Sequence, residues 1–178
     1  MGAKVGKKIV ITRDPLKRKG AFLINGTRLA VTDIMYAIWR GDVEYLELER
    51  DIKEITSAIK KWLEKSLREE KPAFLLNCIK HLDTDRECAI KLSRAVELIE
   101  AYLRYRELGK LHKLLTLKNE PKKKSKEYKW LMRIKELFPD NPMGGLEQYM
   151  SETLDVIKRL RKEMEEPIKE KTETRLLT

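Results

Sequence analysis

INGTRLAVTDIMYAIW, residues 24–39, is the stretch on which the reading of this chain turns. Asn25-Gly26 supplies the two residues that tolerate positive φ in a type I′ turn, so Ala21–Ile24 and Thr27–Val31 are expected as the arms of a hairpin. A helix follows at once. Thr32 has N-cap chemistry, the helix dipole favours Asp33 in the first turn, and Val31 can staple onto Tyr36. Ile34, Met35, Ile38 and Trp39 then fall on one face, and Gly41 stops the run.

Working outward, residues 7–11 read as a short β-branched strand and residues 16–20 as a basic loop ending at Gly20. Past Gly41, Asp42 opens a short helix carrying Val43 and Leu46. Asp51 opens a third helix, with Glu54 in capping-box spacing and an apolar stripe of Ile52, Ile55, Ala58, Ile59, Trp62, Leu63 and Leu67. Three short helices within some 40 residues have the spacing of a helix-turn-helix unit. Away from its stripe the third helix carries Lys53, Thr56, Ser57, Lys60 and Lys61, side chains of the kind that meet base edges and phosphates.

The rest of the sequence is helical in pattern. Pro72 suits the first position of a helix with Phe74, Leu75, Cys78, Ile79 and Leu82 on its stripe. Thr84 and Glu87 form a capping box for a long helix (Cys88, Ala89, Leu92, Ala95, Val96, Ile99, Tyr102 and Leu103) that Gly109 is expected to end. A basic linker, 118–126, precedes a helix over 127–138; residues 139–145 read as a loop, and a last helix is expected over 146–165. The fold class expected is mainly α: a short N-terminal β-hairpin with a trihelical helix-turn-helix unit, followed by a C-terminal helical bundle. The domains expected are 1–70, 71–166 and a tail at 167–178.

Charge is concentrated. The chain has 39 Lys and Arg against 29 Asp and Glu, a formal net charge of +10. Residues 1–28 carry eight basic side chains against Asp14, and residues 110–135 carry ten against Glu120 and Glu127. Lys17, Arg18, Lys19 and Arg28 in the first segment, and Lys122, Lys123 and Lys124 in the second, are the expected phosphate contacts, since positive charge on nucleic-acid-binding proteins gathers where the backbone is met. One Gln and four Asn among so many Lys and Glu lean towards a thermophilic composition.

No Walker loop, dinucleotide fingerprint or nucleophile elbow is present, and most acidic residues lie beside Lys or Arg at helical spacing, so no catalytic chemistry is expected. Cys78, His81, Cys88 and His112 lack a Cys-x-x-Cys pair. Both cysteines lie on apolar stripes and read as unpaired core residues, so neither a metal nor any other cofactor is expected. Without an apolar run of spanning length or a secretory leader pattern, a cytoplasmic protein is expected.

Residues 9–67 resemble the DUF433 family of small trihelical proteins. The matching text is Ile11-Thr12-Arg13-Asp14-Pro15, Gly20, Ile24-Asn25-Gly26-Thr27-Arg28-Leu29-Ala30-Val31, Gly41 and the Ile52–Leu63 helix. Ala30 departs from the Pro common there, and Lys17-Arg18-Lys19 lengthens the loop. The resemblance implies an antitoxin-like protein that binds DNA and holds a protein partner. Duplex DNA is thus the expected ligand, bound by a homodimer through the helix-turn-helix. The alternatives are a module that mainly sequesters another protein, or an RNA-binding component of a ribonucleoprotein.

Overall fold

A computed structural model describes residues 9–24, 29–40, 52–67 and 73–165. Along the described chain run β1 (Ile11–Arg13), a 3-10 turn (Arg18–Gly20), β2 (Phe22–Ile24), α1 (Val31–Arg40), α2 (Ile52–Leu67), α3 (Ala73–Ile79), α4 (Arg86–Thr116), α5 (Lys126–Leu137) and α6 (Pro142–Glu165). The chain is mostly helical, with a short two-stranded antiparallel hairpin before the helices, as the sequence patterns predict. The regular pairing is that of β2 with β1, and the expected arms Ala21–Ile24 and Thr27–Val31 meet, among the described residues, in an antiparallel bridge between Leu23 and Ala30, with Ile24 N–H donating to Leu29 O at 3.0 Å. The Asn25-Gly26 turn, Arg28, Gly41, the 42–48 helix, Asp51, Pro72 and the 167–178 tail lie outside the described residues.

Two compact units emerge. One comprises Met1–Thr12, Phe22–Glu97 and Glu163–Thr178; the other, Arg13–Ala21 and Leu98–Lys162. The first unit runs through the boundary expected near residue 70. Within it α1 begins at Val31, two residues before the start that an N-cap at Thr32 implies, because Asp33 reaches back to accept from the Ala30 N–H at 3.1 Å. Ile34 and Met35 are fully buried, α1 packs on β2, and α2 packs on α3. Ile55, Ile59, Leu63 and Leu67 form the buried stripe of α2 as expected, and the edge of Phe22 meets Trp62 with ring centres 4.6 Å apart.

Cys78 and Cys88 form a disulfide across a Cα–Cα distance of 4.9 Å. This corrects their reading as unpaired core residues. The chain turns back between Ile79 and Arg86, bringing the last turn of α3 beside the first turn of α4, within bridging range. The pairing gives no support to the cytoplasmic expectation, since disulfides persist chiefly in oxidising compartments. Asp85 rather than Thr84 caps α4, accepting from the N–H groups of Glu87 and Cys88 at 2.9 and 3.3 Å.

The second unit contains the later part of α4, then α5 and α6. Leu108, Leu111, Leu131, Ile134 and Leu146 make one buried cluster, and Leu98, Ala101, Ile157 and Leu160 another. α6 runs antiparallel to α4: the Thr116 hydroxyl is 4.0 Å from Met143 Sδ, Arg104 bonds Thr153, and Leu98 and Ala101 cluster with Ile157 and Leu160. Three expectations fail here. Gly109 does not end α4, which continues to Thr116; a helical Gly weakens the run but does not stop it when flanking leucines are buried. The 139–145 loop is shorter, because α6 starts at Pro142, where Pro suits a first turn and Asn141 Oδ1 accepts from Gly144 N–H at 3.0 Å. The expected stripe on α4 breaks after Val96. Leu98, Ala101, Leu108 and Leu111 are buried instead, while Ile99 and Leu103 are half-buried and Tyr102 is 41 % exposed.

Candidate nucleic-acid interface

The helix-turn-helix reading puts the site on α2. Its candidate residues do not share one environment there. Lys53, Ser57 and Lys61 are exposed and follow one another at four-residue steps, so they share a face. Thr56 is only 8 % exposed, in the buried stripe beside Ile55. The Lys60 ammonium is held at 2.8 Å from Asp83 and 3.2 Å from the Lys80 carbonyl, and this bond keeps the Asp83 carboxyl below the usual carboxylate range. Thr56 is thus set apart from the exposed face by burial, and Lys60 is paired within the first unit, neither of which helical spacing alone could supply.

The basic loop belongs to the second unit. Arg13 donates from Nε to the Gly20 carbonyl at 2.9 Å and grips Glu107 of α4 with both terminal nitrogens, one of them at 2.9 Å. Leu16 packs on the Leu108 cluster. Arg104 of α4, 7 % exposed, donates from Nε to the Pro15 carbonyl at 2.9 Å and from Nη1 to Thr153 Oγ1 at 3.2 Å, with its guanidinium carbon 5.1 Å from the centre of the Tyr149 ring. Burial draws the pKa of Arg104 below the ordinary arginine value. Gly20 (φ +80°) lies so close that a Cβ there would meet the Arg104 side chain at 3.2 Å.

Between these anchors Arg18 and Lys19 hold left-handed backbone at φ 46° and 54°, which costs of order 1–3 kcal/mol each and persists only where surrounding contacts impose it. Lys17, Arg18 and Lys19 are exposed. The loop is a built structure rather than a tether.

The second basic segment reaches the same stretch of α4. Ser125 caps α5 by accepting from Tyr128 N–H at 3.2 Å, and its own backbone N–H bonds the Lys122 carbonyl at 2.9 Å, so Lys122, Lys123 and Lys124 form an exposed turn just before the helix. Glu127, in the first turn of α5, pairs with Lys110 of α4 at 2.6 Å, and that bond keeps its carboxyl below the usual range. Glu107, which anchors the first loop, and Lys110, which anchors the second, are three residues apart, about 4.5 Å along the helix. The two lysine-rich turns, more than 100 residues apart in sequence, thus join α4 within one helical turn.

In the sequence, the alternation of Tyr102 and Tyr105 with Arg104 and Arg106 suggests base stacking or a half-core, half-surface helix end, but the longer cation stripe of α4 is missed. Tyr102, Arg106, Lys110 and Lys113 are exposed at spacings of four, four and three, an unbroken stripe on one face. The spacing of the basic residues carries that signal, but the apolar pattern places Tyr102 in the core and hides it. Charge is also unequal between the units. The second unit holds 20 Lys and Arg against 10 Asp and Glu, the first 19 against 19, so the whole net charge of +10 falls on the second.

Among the described residues no group of three or more His, Cys, Asp or Glu side chains could hold a metal, and no helix is long and apolar enough to cross a membrane. No family model matches the chain, and no curated protein or solved structure matches it.

Proposed function

We propose that this protein binds nucleic acid without catalysis of its own, gripping the phosphate backbone with the second unit. The observation that carries the reading is the location of all the net charge on that unit, with Lys17–Lys19, Lys122–Lys124 and the Arg106–Lys110–Lys113 stripe exposed around one stretch of α4. Cations clustered in this way displace condensed counterions from a polyanion, which supplies affinity without sequence discrimination.

The test is binding of the full chain to duplex DNA, single-stranded DNA and structured RNA across a salt series. Log affinity should fall steeply with log salt, and changing Lys122, Lys123 and Lys124 to Gln should flatten the slope by about 0.9 for each duplex phosphate that is no longer neutralised. Binding that ignores salt, or a slope that the triple change leaves intact, overturns the reading.

A second reading keeps the helix-turn-helix and the DUF433 likeness: α2 reads sequence in duplex DNA while the second unit holds phosphate, as a homodimeric regulator or an antitoxin with a protein partner. The alignment of Lys53, Ser57 and Lys61 on one exposed face favours it. Ser57→Ala should then reduce discrimination between DNA sequences by about 1–3 kcal/mol, whereas a uniform loss of affinity across sequences would exclude base reading by α2.

A further inference from the structure

We infer that the recess at the C-terminal end of α4 receives an unpaired nucleobase, so that the preferred ligand of the second unit is a single strand. The inference rests on the nucleic-acid reading above and narrows it.

The recess has a volume of about 240 Å³. Leu114 and Leu115 of α4 and Leu131 of α5 line it, together with Lys118, Asn119, Glu120 and Lys135. Its size is below the 300–1,000 Å³ typical of pockets for larger ligands and suits one flat ring system. Leucine walls favour the face of a base. An asparagine amide offers both a donor and an acceptor to a base edge, and Lys118 and Lys135 outweigh the single negative charge of Glu120, leaving the lining net positive towards the adjoining phosphates. In a duplex the base faces are stacked and the pairing edges occupied, so only an unpaired or extruded base can enter.

Two further observations point the same way. Lys118 holds φ +54° at the end of α4, where its N–H bonds the Leu115 carbonyl and Asn119 N–H bonds the Leu114 carbonyl. This is the left-handed helix-ending position that glycine fills at no steric cost, and here a lysine occupies it and lines the recess. The recess also continues the cation stripe, because Leu114 follows Lys110 by one helical turn. At the other end of that stripe, about 18 Å away along the helix axis, Tyr102 exposes a ring on which a second base can stack.

The experiment uses the full chain and three labelled ligands followed by fluorescence anisotropy: a DNA single strand, the same strand in a duplex, and an abasic strand with the same number of phosphates. The single strand should bind about tenfold more tightly than either of the others. Asn119→Ala, which leaves every cation in place, should remove most of that preference while leaving duplex affinity near its starting value, whereas Lys118→Gly, which relieves the left-handed backbone and so retains the fold, should weaken all three ligands alike as the loss of a phosphate contact does. Equal affinity for single strand and duplex, or for based and abasic strands, overturns the recess assignment and leaves phosphate binding standing. Failure of all three to bind in a salt-dependent way removes the nucleic-acid reading, and the recess assignment with it.

Discussion

Arg104 replaces hydration with two neutral oxygens, the Pro15 carbonyl and the Thr153 hydroxyl, and with the face of Tyr149. Arg104→Ala should cost about 2–4 kcal/mol in urea denaturation, since both bonds and the packing of the long side chain go together. Arg104→Lys should recover little of this, because an ammonium cannot span both acceptors as a planar guanidinium does. An alanine variant within about 0.5 kcal/mol of the parent would show that the loop is held by Arg13 alone. Gly145 makes the opposite demand: any Cβ there would collide with the Phe138 ring, so Gly145→Ala should destabilise by about 1–3 kcal/mol, and Phe138→Leu should relieve part of it. Tyr36 brings in pH. Burial, and then Glu97, whose carboxylate accepts its hydroxyl at 3.3 Å, raise the phenol's pKa well above the ordinary range. A group whose folded pKa exceeds its unfolded value of about 10 stabilises fully below that pH, and the contribution fades as pH climbs beyond it. Urea midpoints taken from pH 8 to pH 11 should therefore fall on the alkaline side for the parent and fall less for Tyr36→Phe.

The disulfide ties two neighbouring helices, α3 and α4, across a separation of 10 residues. Closing so short a loop restricts the unfolded chain by about 2–3 kcal/mol, which reduction, or Cys78→Ser with Cys88→Ser, should remove in matched denaturation experiments. An unchanged midpoint under reductant would mean that packing of α3 on α2 and of α4's first turn already suffices. Elements are the most legible level of the sequence. Periodicity places α1, α2, α5 and most of α4 and α6, because each buries a stripe at helical spacing. What it misjudges depends on neighbours. Gly109 carries a local stop signal, but the burial of Leu108 and Leu111 on either side outweighs it. Tyr102 continues the pattern of Val96 and Ile99, but the positions that become buried are Leu98 and Ala101, against Ile157 and Leu160 some 60 residues away. Thr56 and Lys60 look like solvent-facing side chains until the burial of Thr56 and the position of Asp83 are known. The basic segments are legible as charge; their meeting on α4 is not, since it depends on Glu107 and Glu127 as long-range partners.

At the scale of the molecule, charge and chain path divide differently from sequence order. A fragment ending at residue 70 lacks α3, the partners of Lys60 and the disulfide. By circular dichroism it should melt earlier and less cooperatively than a chain carrying residues 1–97; equal cooperativity would show that the helix-turn-helix portion stands alone. Each unit is stitched from separated segments, and this bears on how the protein is made. Arg13 and Pro15 leave the ribosome long before Glu107 and Arg104, their partners 94 and 89 residues downstream. At about 5–20 residues per second, the loop with its three exposed cations waits roughly 5–20 s for its helix, beside a ribosome whose surface is largely RNA phosphate. Nascent chains should therefore carry their most adhesive segment unanchored, and its release should be timed by the synthesis of α4.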